Sequence, residues 1–243
     1  MEVAIKFYPP LRPATLLKRY KRFLADVRLE DGKILTAHCP NTGSMKSCCE
    51  PGRPVMLSFH PGDARKYPYT LEMIRMDGGW VGVNTALPNN LVARAVQYGM
   101  IPELMGYSSV RREVRYGVNS RIDLLLEGTS SRGPTDLCYV EVKNVSMAEG
   151  DTAYFPDSVS ERGTKHLNEL MSVMKQGHRA MMIFLVQRGD VRLFRPADSL
   201  DPLYGQTLRR ASEAGVEVLP YQALVSPEGV RWGNLLPKDL SNN

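Results

Sequence analysis

Three charged side chains lie inside apolar runs that a folded chain has to bury. Ile122-Asp123-Leu124-Leu125-Leu126 carries one carboxylate, and Cys138-Tyr139-Val140-Glu141-Val142-Lys143 carries a second together with a lysine. Runs of this texture read as strands covered on both faces, where a charge is costly unless it is paired or metal-bound. Side chains alternate along a strand, so Glu141 and Lys143 share one face and Val140 and Val142 the other. The same alternation turns Asp123 away from Ile122, Leu124 and Leu126. Pairing the two strands would bring both carboxylates and the ammonium together. Such a trio suits Mg2+ (or Mn2+), which takes hard oxygen ligands, and a nearby lysine can orient or activate a water, as in a phosphodiesterase. A Glu-x-Lys pair alone more often forms a solvated strand face; the apolar flanks are what favour chemistry here.

At 243 residues the chain has room for one or two domains, and two are expected, over residues 1–85 and 86–243. No apolar run approaches the ~18 residues of a membrane helix, and the first residues lack a signal-peptide core. A cytoplasmic protein with no membrane partner is expected. Cys39, Cys48, Cys49 and Cys138 form no Cys-x-x-Cys pair and have no His at zinc-finger spacing, so they read as reduced thiols. Net charge is +5, and its placement says more than its size: residues 1–88 carry 13 Lys and Arg against 8 Asp and Glu, the rest 18 of each. A basic part joined to a neutral one suits a polyanion gripped by the first and acted on by the second.

The first 85 or so residues are short β-like runs broken by turn signals, with strands expected over 14–18, 23–29, 33–38, 55–59, 71–76 and 80–83. Asp31-Gly32 marks a hairpin of type I′ and Gly78-Gly79 another turn. A barrel of about five strands, of the oligonucleotide-binding (OB) kind, is the simplest architecture that fits. A connecting helix is expected over 84–104. After it the texture is α/β: strands over 111–116, 121–126 and 139–144, a helix over 160–176, a uniformly apolar central strand over 180–186, a helix over 202–214 and a strand over 216–219.

Lys18-Arg19-Tyr20-Lys21-Arg22-Phe23 sets four cations around two aromatics, a pattern that neutralises phosphates and stacks bases. The polar loop after it, with Asn41, Thr42 and Ser44, can present amides and hydroxyls to a phosphate, or simply be a turn fixed by Pro40 and Gly43. Glu113 is a candidate third carboxylate. Lys165 is a candidate phosphate clamp, preferred over His166, with both read as lying off the Leu167 and Leu170 stripe.

The segments 38–45, 84–85, 120–123, 140–144, 162–167 and Asp201-Pro202-x-Tyr204, in that order, resemble the sugar fermentation stimulation protein A family nearly end to end. The resemblance implies an N-terminal OB-fold domain followed by a PD-(D/E)xK nuclease-like α/β domain with a central mixed sheet, DNA binding, and a regulatory link to sugar metabolism. Carried over, Asp123 matches the first acid of that motif, Glu141 the second and Lys143 its lysine, while Ile122 stands where the motif's name has proline.

The expectation is a DNA-binding protein of low sequence specificity, with single- or double-stranded DNA unresolved, RNA also admitted as a partner and the oligomeric state open. Its Mg2+-dependent centre would use Asp123 and Glu141, with Glu113, as ligands and Lys143 and Lys165 as catalytic cations. Two alternatives stay open: a non-catalytic DNA- or RNA-binding regulator, and a small-molecule enzyme using the Cys39 loop.

Overall fold

The computed structural model describes residues 3–62, 66–117, 120–130 and 133–242. After a short β1 (Ala4–Lys6) come β2 (Arg12–Tyr20), β3 (Leu24–Leu29), β4 (Ile34–His38), β5 (Pro54–Phe59) and β6 (Tyr69–Met76). These last five run in the order β4-β3-β2-β5-β6, and the parallel bridge His38↔Thr70 joins β4 to β6, closing the barrel. Inward residues of successive strands, among them Leu16, Val27, Ala37, Leu57 and Leu71, fill it. β7 (Gly79–Gly82) pairs with β6 outside the closure.

The β3–β4 hairpin forms where expected but not as a type I′ turn. Leu29 accepts from Gly32 N–H at 3.0 Å and donates to Lys33 O at 2.9 Å, enclosing Glu30, Asp31 and Gly32. Only Gly32 of the three is left-handed, at φ 85°. This is a three-residue loop closed by glycine, in which Asp31 accepts the Lys33 N–H instead of adopting positive φ.

The connecting helix is shorter than the expected 84–104. α1 (Leu87–Gln97) ends where left-handed Gly99, at φ 67°, donates to Val96 O and Met100 N–H to Ala95 O, and a separate 3-10 turn follows at Pro102–Leu104. The chain continues through β8 (Tyr107–Tyr116), β9 (Ser120–Ser130), β10 (Gly133–Val145), β11 (Ala148–Glu149), β12 (Thr152–Phe155), α2 (Glu161–Lys175), β13 (Arg179–Val186), β14 (Leu193–Pro196), α3 (Pro202–Glu213), β15 (Glu217–Ser226) and β16 (Gly229–Leu235). The large sheet has the order β1-β16-β15-β13-β10-β9-β8, parallel across β10, β13 and β15 and antiparallel toward both edges. β11, β12 and β14 make a small separate sheet.

β13 is the central strand its composition demanded. Met181, Ile183 and Leu185 pack on the α1 side, and Met182, Phe184 and Val186 on the side of α2 and α3. No described helix is long and apolar enough to cross a membrane.

Barrel and α/β part are tied along a seam. Gly82 N–H donates to Gln187 O at 2.8 Å, Met45 N–H to Asp157 Oδ2 at 3.2 Å, and Ala148 N–H to Ser47 Oγ at 3.2 Å. The seam is close enough that a Cβ on Gly43 would lie 2.2 Å from the Asp157 carboxylate. The first strand, β1, belongs to the large sheet: Ala4 pairs with Arg231 of β16.

Candidate active site

The antiparallel ladder between β9 and β10 places Leu126 opposite Cys138, Leu125 opposite Tyr139 and Leu124 opposite Val140. One step further Asp123 takes over. Its Oδ2 accepts the N–H of Val142 at 2.7 Å, a side-chain oxygen standing in for a ladder carbonyl, and its Oδ1 accepts from Asn89 Nδ2 of α1 at 2.7 Å. The carboxylate is thereby bonded to the residue between Glu141 and Lys143.

Strict alternation fails at this point. Leu124 and Leu126 pack on the α1 side as a pair, but Ile122 packs with Leu125 on the α2 side. On the neighbouring strand Arg112 pairs with Leu124 and Val114 with Ile122. Between them Glu113 is left-handed at φ 53°, a conformation costing a non-glycine residue about 1–3 kcal/mol and concentrated at functional sites. Glu113 lies opposite Asp123 in the locally unbroken β8–β9 register, so the strained residue and the carboxylate that leaves the alternation are neighbours.

On β10, Glu141 and Lys143 do share a face, and Lys143 Nζ donates to Glu141 Oε1 at 2.7 Å. The same oxygen makes a short contact with His166 Nδ1 of α2. Glu141 and His166 are both 3% exposed. Arg162 Nε donates to His166 Nε2 at 3.4 Å, and Lys143 Nζ lies 3.3 Å from the Nδ1 that faces Glu141. Oε1 of Glu141 is thus doubly bonded, while its Oε2 is buried with no hydrogen-bond partner among the described residues.

The two carboxylates are pushed in opposite directions. Burial, with the negative charge of Glu141 added, raises Asp123 to about 6 against the opposing pull of the Val142 N–H, Lys143 and Asn89. Burial also pushes Glu141 upward, but the His166 bond and the Lys143 charge outweigh it and hold the group below the usual range. Paired carboxylates with divergent affinities for protons, next to a lysine, are a common basis for acid, base or metal chemistry.

His166 corrects the sequence reading, which preferred Lys165 and set both off the apolar stripe. The buried residues of α2 are Gly163, His166, Leu167, Leu170 and Val173, so His166 lies on the inward stripe. Its spacing of four to Leu170 carried that signal. Lys165 instead forms an i,i+4 pair with Glu169 at 3.7 Å and lines a cavity with His166 and Glu113. Among the described residues no three His, Cys, Asp or Glu side chains are grouped to hold a metal, and no hydrogen bond joins Glu113 to Asp123 or Glu141. Asn89, the other unforeseen contact, had no sequence signal beyond its place on a helix.

In the basic cluster, Arg19 has a structural task. Its guanidinium donates to the carbonyls of Arg22, Asn41, Gly43 and Ser44 at 2.6 to 3.2 Å, clamping the 41–44 loop to the barrel. Lys18 pairs with Asp26 at 3.5 Å and lies 5.1 Å from the Tyr20 ring, whose hydroxyl donates to Asp26. Lys21 and Arg22 form a tight left-handed turn, both exposed. Asn41 is 5% exposed and caps its own loop by accepting the Gly43 N–H, while Thr42 reaches a cavity in the seam and Ser44 is half-buried. Cys39 is fully buried, and burial raises its thiol, the reverse of what a nucleophile requires.

Comparisons with known proteins agree with this architecture. The model of the SfsA N-terminal OB domain matches residues 17–83, and that of the sugar fermentation stimulation protein RE domain matches residues 86–229. The sugar fermentation stimulation protein homolog of Geobacter sulfurreducens is 55% identical over 94% of this chain and 96% of its own length. That of Thioalkalivibrio sulfidiphilus is 55% identical over 98% of this chain and 99% of its own. The solved structure of Pyrococcus furiosus SfsA in complex with Ca2+ superposes with a TM-score of 0.87 at 30% identity, covering 98% of this chain and 99% of that one.

Proposed function

We propose that this chain, which belongs to the sugar fermentation stimulation protein family, binds DNA with little sequence preference through its basic barrel and hydrolyses phosphodiester bonds at the centre formed by Asp123, Glu141 and Lys143. One observation carries the reading. Asp123 bonds the backbone between Glu141 and Lys143, Lys143 bonds Glu141, and a buried oxygen of Glu141 is left without a partner among the described residues.

Such an oxygen is what an oxygen-seeking cation would satisfy, and Asp123 with Glu141 supplies the one or two carboxylates that Mg2+ or Mn2+ takes from a protein. When bound, the cation would polarise the phosphoryl group and acidify a water. The chain's own groups do the rest. Asn89 and the Val142 N–H hold Asp123, His166 and Lys143 hold Glu141, and in this reading the Lys143 ammonium would orient an attacking water. The Pyrococcus furiosus relative is described with Ca2+, another cation of hard oxygen ligands, which supports a divalent ion as a partner of this chain. The four cysteines, none of them in a disulfide, support a reducing, cytoplasmic setting.

The test is to incubate labelled single- and double-stranded DNA with the protein and Mg2+ or Mn2+, beside Lys143→Ala and Asp123→Asn. Cleavage by the parent alone supports hydrolysis. No cleavage of any substrate with either metal sinks it and leaves a DNA- or RNA-binding regulator, the role the family name would then connect to sugar use.

A further inference from the structure

We infer that the substrate is a single-stranded nucleic acid laid along one trough that crosses both domains; the inference rests on the polyanion-binding reading above and goes beyond it in naming the strand and its course. Three cavities adjoin through shared side chains. The first, of about 540 Å³, lies in the seam, where Arg22, Asn41 and Thr42 of the barrel face Asn144, Ser160 and Arg162 of the α/β part. Arg162 also lines the second, of about 480 Å³, together with Arg121, Lys165 and His166. Arg121 in turn lines the third, of about 510 Å³, beside Arg115 and Tyr116.

Arg22, Arg162, Lys165, Arg121 and Arg115 therefore follow one another along the trough, with the Glu141–His166 contact beneath its middle. The carboxylates along the same course are Asp157 and Glu161 in the first cavity, Glu113 in the second and Glu169 paired with Lys165, and Asp157 is occupied by the Met45 N–H. Cations outnumber acids, as a phosphate backbone requires.

The strand follows from depth and size. Glu141 is 3% exposed, so a phosphate has to descend to it. Each cavity is of the volume that takes one small ligand, roughly 300–1,000 Å³, which admits a nucleotide or two and not the breadth of a duplex. Half-buried Tyr154 lines the first cavity and is the ring placed to meet an unpaired base, whereas Phe155 and Tyr116, which also line the trough, are packed on Phe184, Tyr204 and Tyr139. DNA and RNA single strands share this chemistry.

The experiment measures anisotropy of fluorescent dT and rU homopolymers, from about 4 to about 16 nucleotides long, and of a duplex of the longest length, with the full chain in EDTA. Affinity should climb with length and then level off, and the strand should be preferred to the duplex roughly tenfold. Arg22→Glu and Arg115→Glu, at opposite ends and both exposed, should each weaken the longest oligomer about tenfold and lower the salt slope by about 1, with little effect on the shortest. The dT and rU arms tell which sugar is preferred, and either supports the trough. Equal binding of duplex and strand, or indifference of the longest oligomer to either reversal, overturns the trough and leaves polyanion binding standing. Absence of any salt-sensitive binding overturns both.

Discussion

Glu141 spends one carboxylate oxygen on two partners and leaves the other buried and unmet, so His166 acts on the centre by fixing which way that second oxygen points. His166→Ala should weaken Mn2+ binding about 10–100-fold, the range for lost outer-shell partners, with His166→Asn recovering part of it; titration calorimetry on the folded variants reads this. Equal affinity in the parent and His166→Ala would remove His166 from the site. Asp123, Glu141 and Lys143 were legible in the sequence because charges inside apolar runs are conspicuous. His166 was equally legible, at helical spacing from Leu170, although a lone histidine beside a lysine does not announce the buried partner it meets. The left-handed Glu113 of β8 was not legible, since nothing in its neighbours dictates positive φ.

Among the elements, the starts of α2 and α3 are joined by a single side chain. Asp201 accepts the Tyr204 N–H with Oδ1 at 3.0 Å, capping α3, and the Ser160 N–H with Oδ2 at 2.8 Å, just before α2. Losing a cap costs about 1–2 kcal/mol, and here a second buried donor is stranded as well. Asp201→Ala is therefore expected to cost about 2–3 kcal/mol in denaturant unfolding, and a loss under 0.5 kcal/mol would refute the double role. At the barrel, Gly43→Ala should open the seam, because the added carbon has to displace the Asp157 carboxylate that holds Met45; faster hydrogen exchange at Met45 and Ala148 is the readout. The barrel strands and the helices were legible because turn residues punctuate them and apolar stripes run through them. β11, β12 and β14, of 2 to 4 residues, are too short to show an alternation, and β15 runs through Pro220 well past the expected 216–219.

For the molecule as a whole, stability should depend on pH through the seam. Arg188, 6% exposed, binds Asp190 with Nε and Nη2, both at 2.7 Å, and donates to Ser146 O at 2.9 Å. The Arg188 bonds hold the Asp190 carboxyl below its ordinary value. A lowered carboxylate contributes stability above its unfolded value near 4 and loses it as pH falls through the folded one. Asp190→Asn should then cost about 2–3 kcal/mol at pH 7, within the range for bonds to charged groups, and the deficit should shrink below about pH 4; a deficit constant from pH 7 to pH 3 would contradict this. The pairing of β1 with β16 has a separate consequence. Because Trp232 N–H donates to Val3 O at 2.8 Å and Arg94 to Ala4 O at 2.7 Å, the opening residues finish the sheet that the closing residues begin. In topological terms the barrel is an insertion between an edge strand and the rest of its sheet. A fragment cut at residue 86 would carry a bare flank on Gly229–Leu235, inviting intermolecular strand addition, and grafting residues 3–7 back by a short tether should keep it monodisperse.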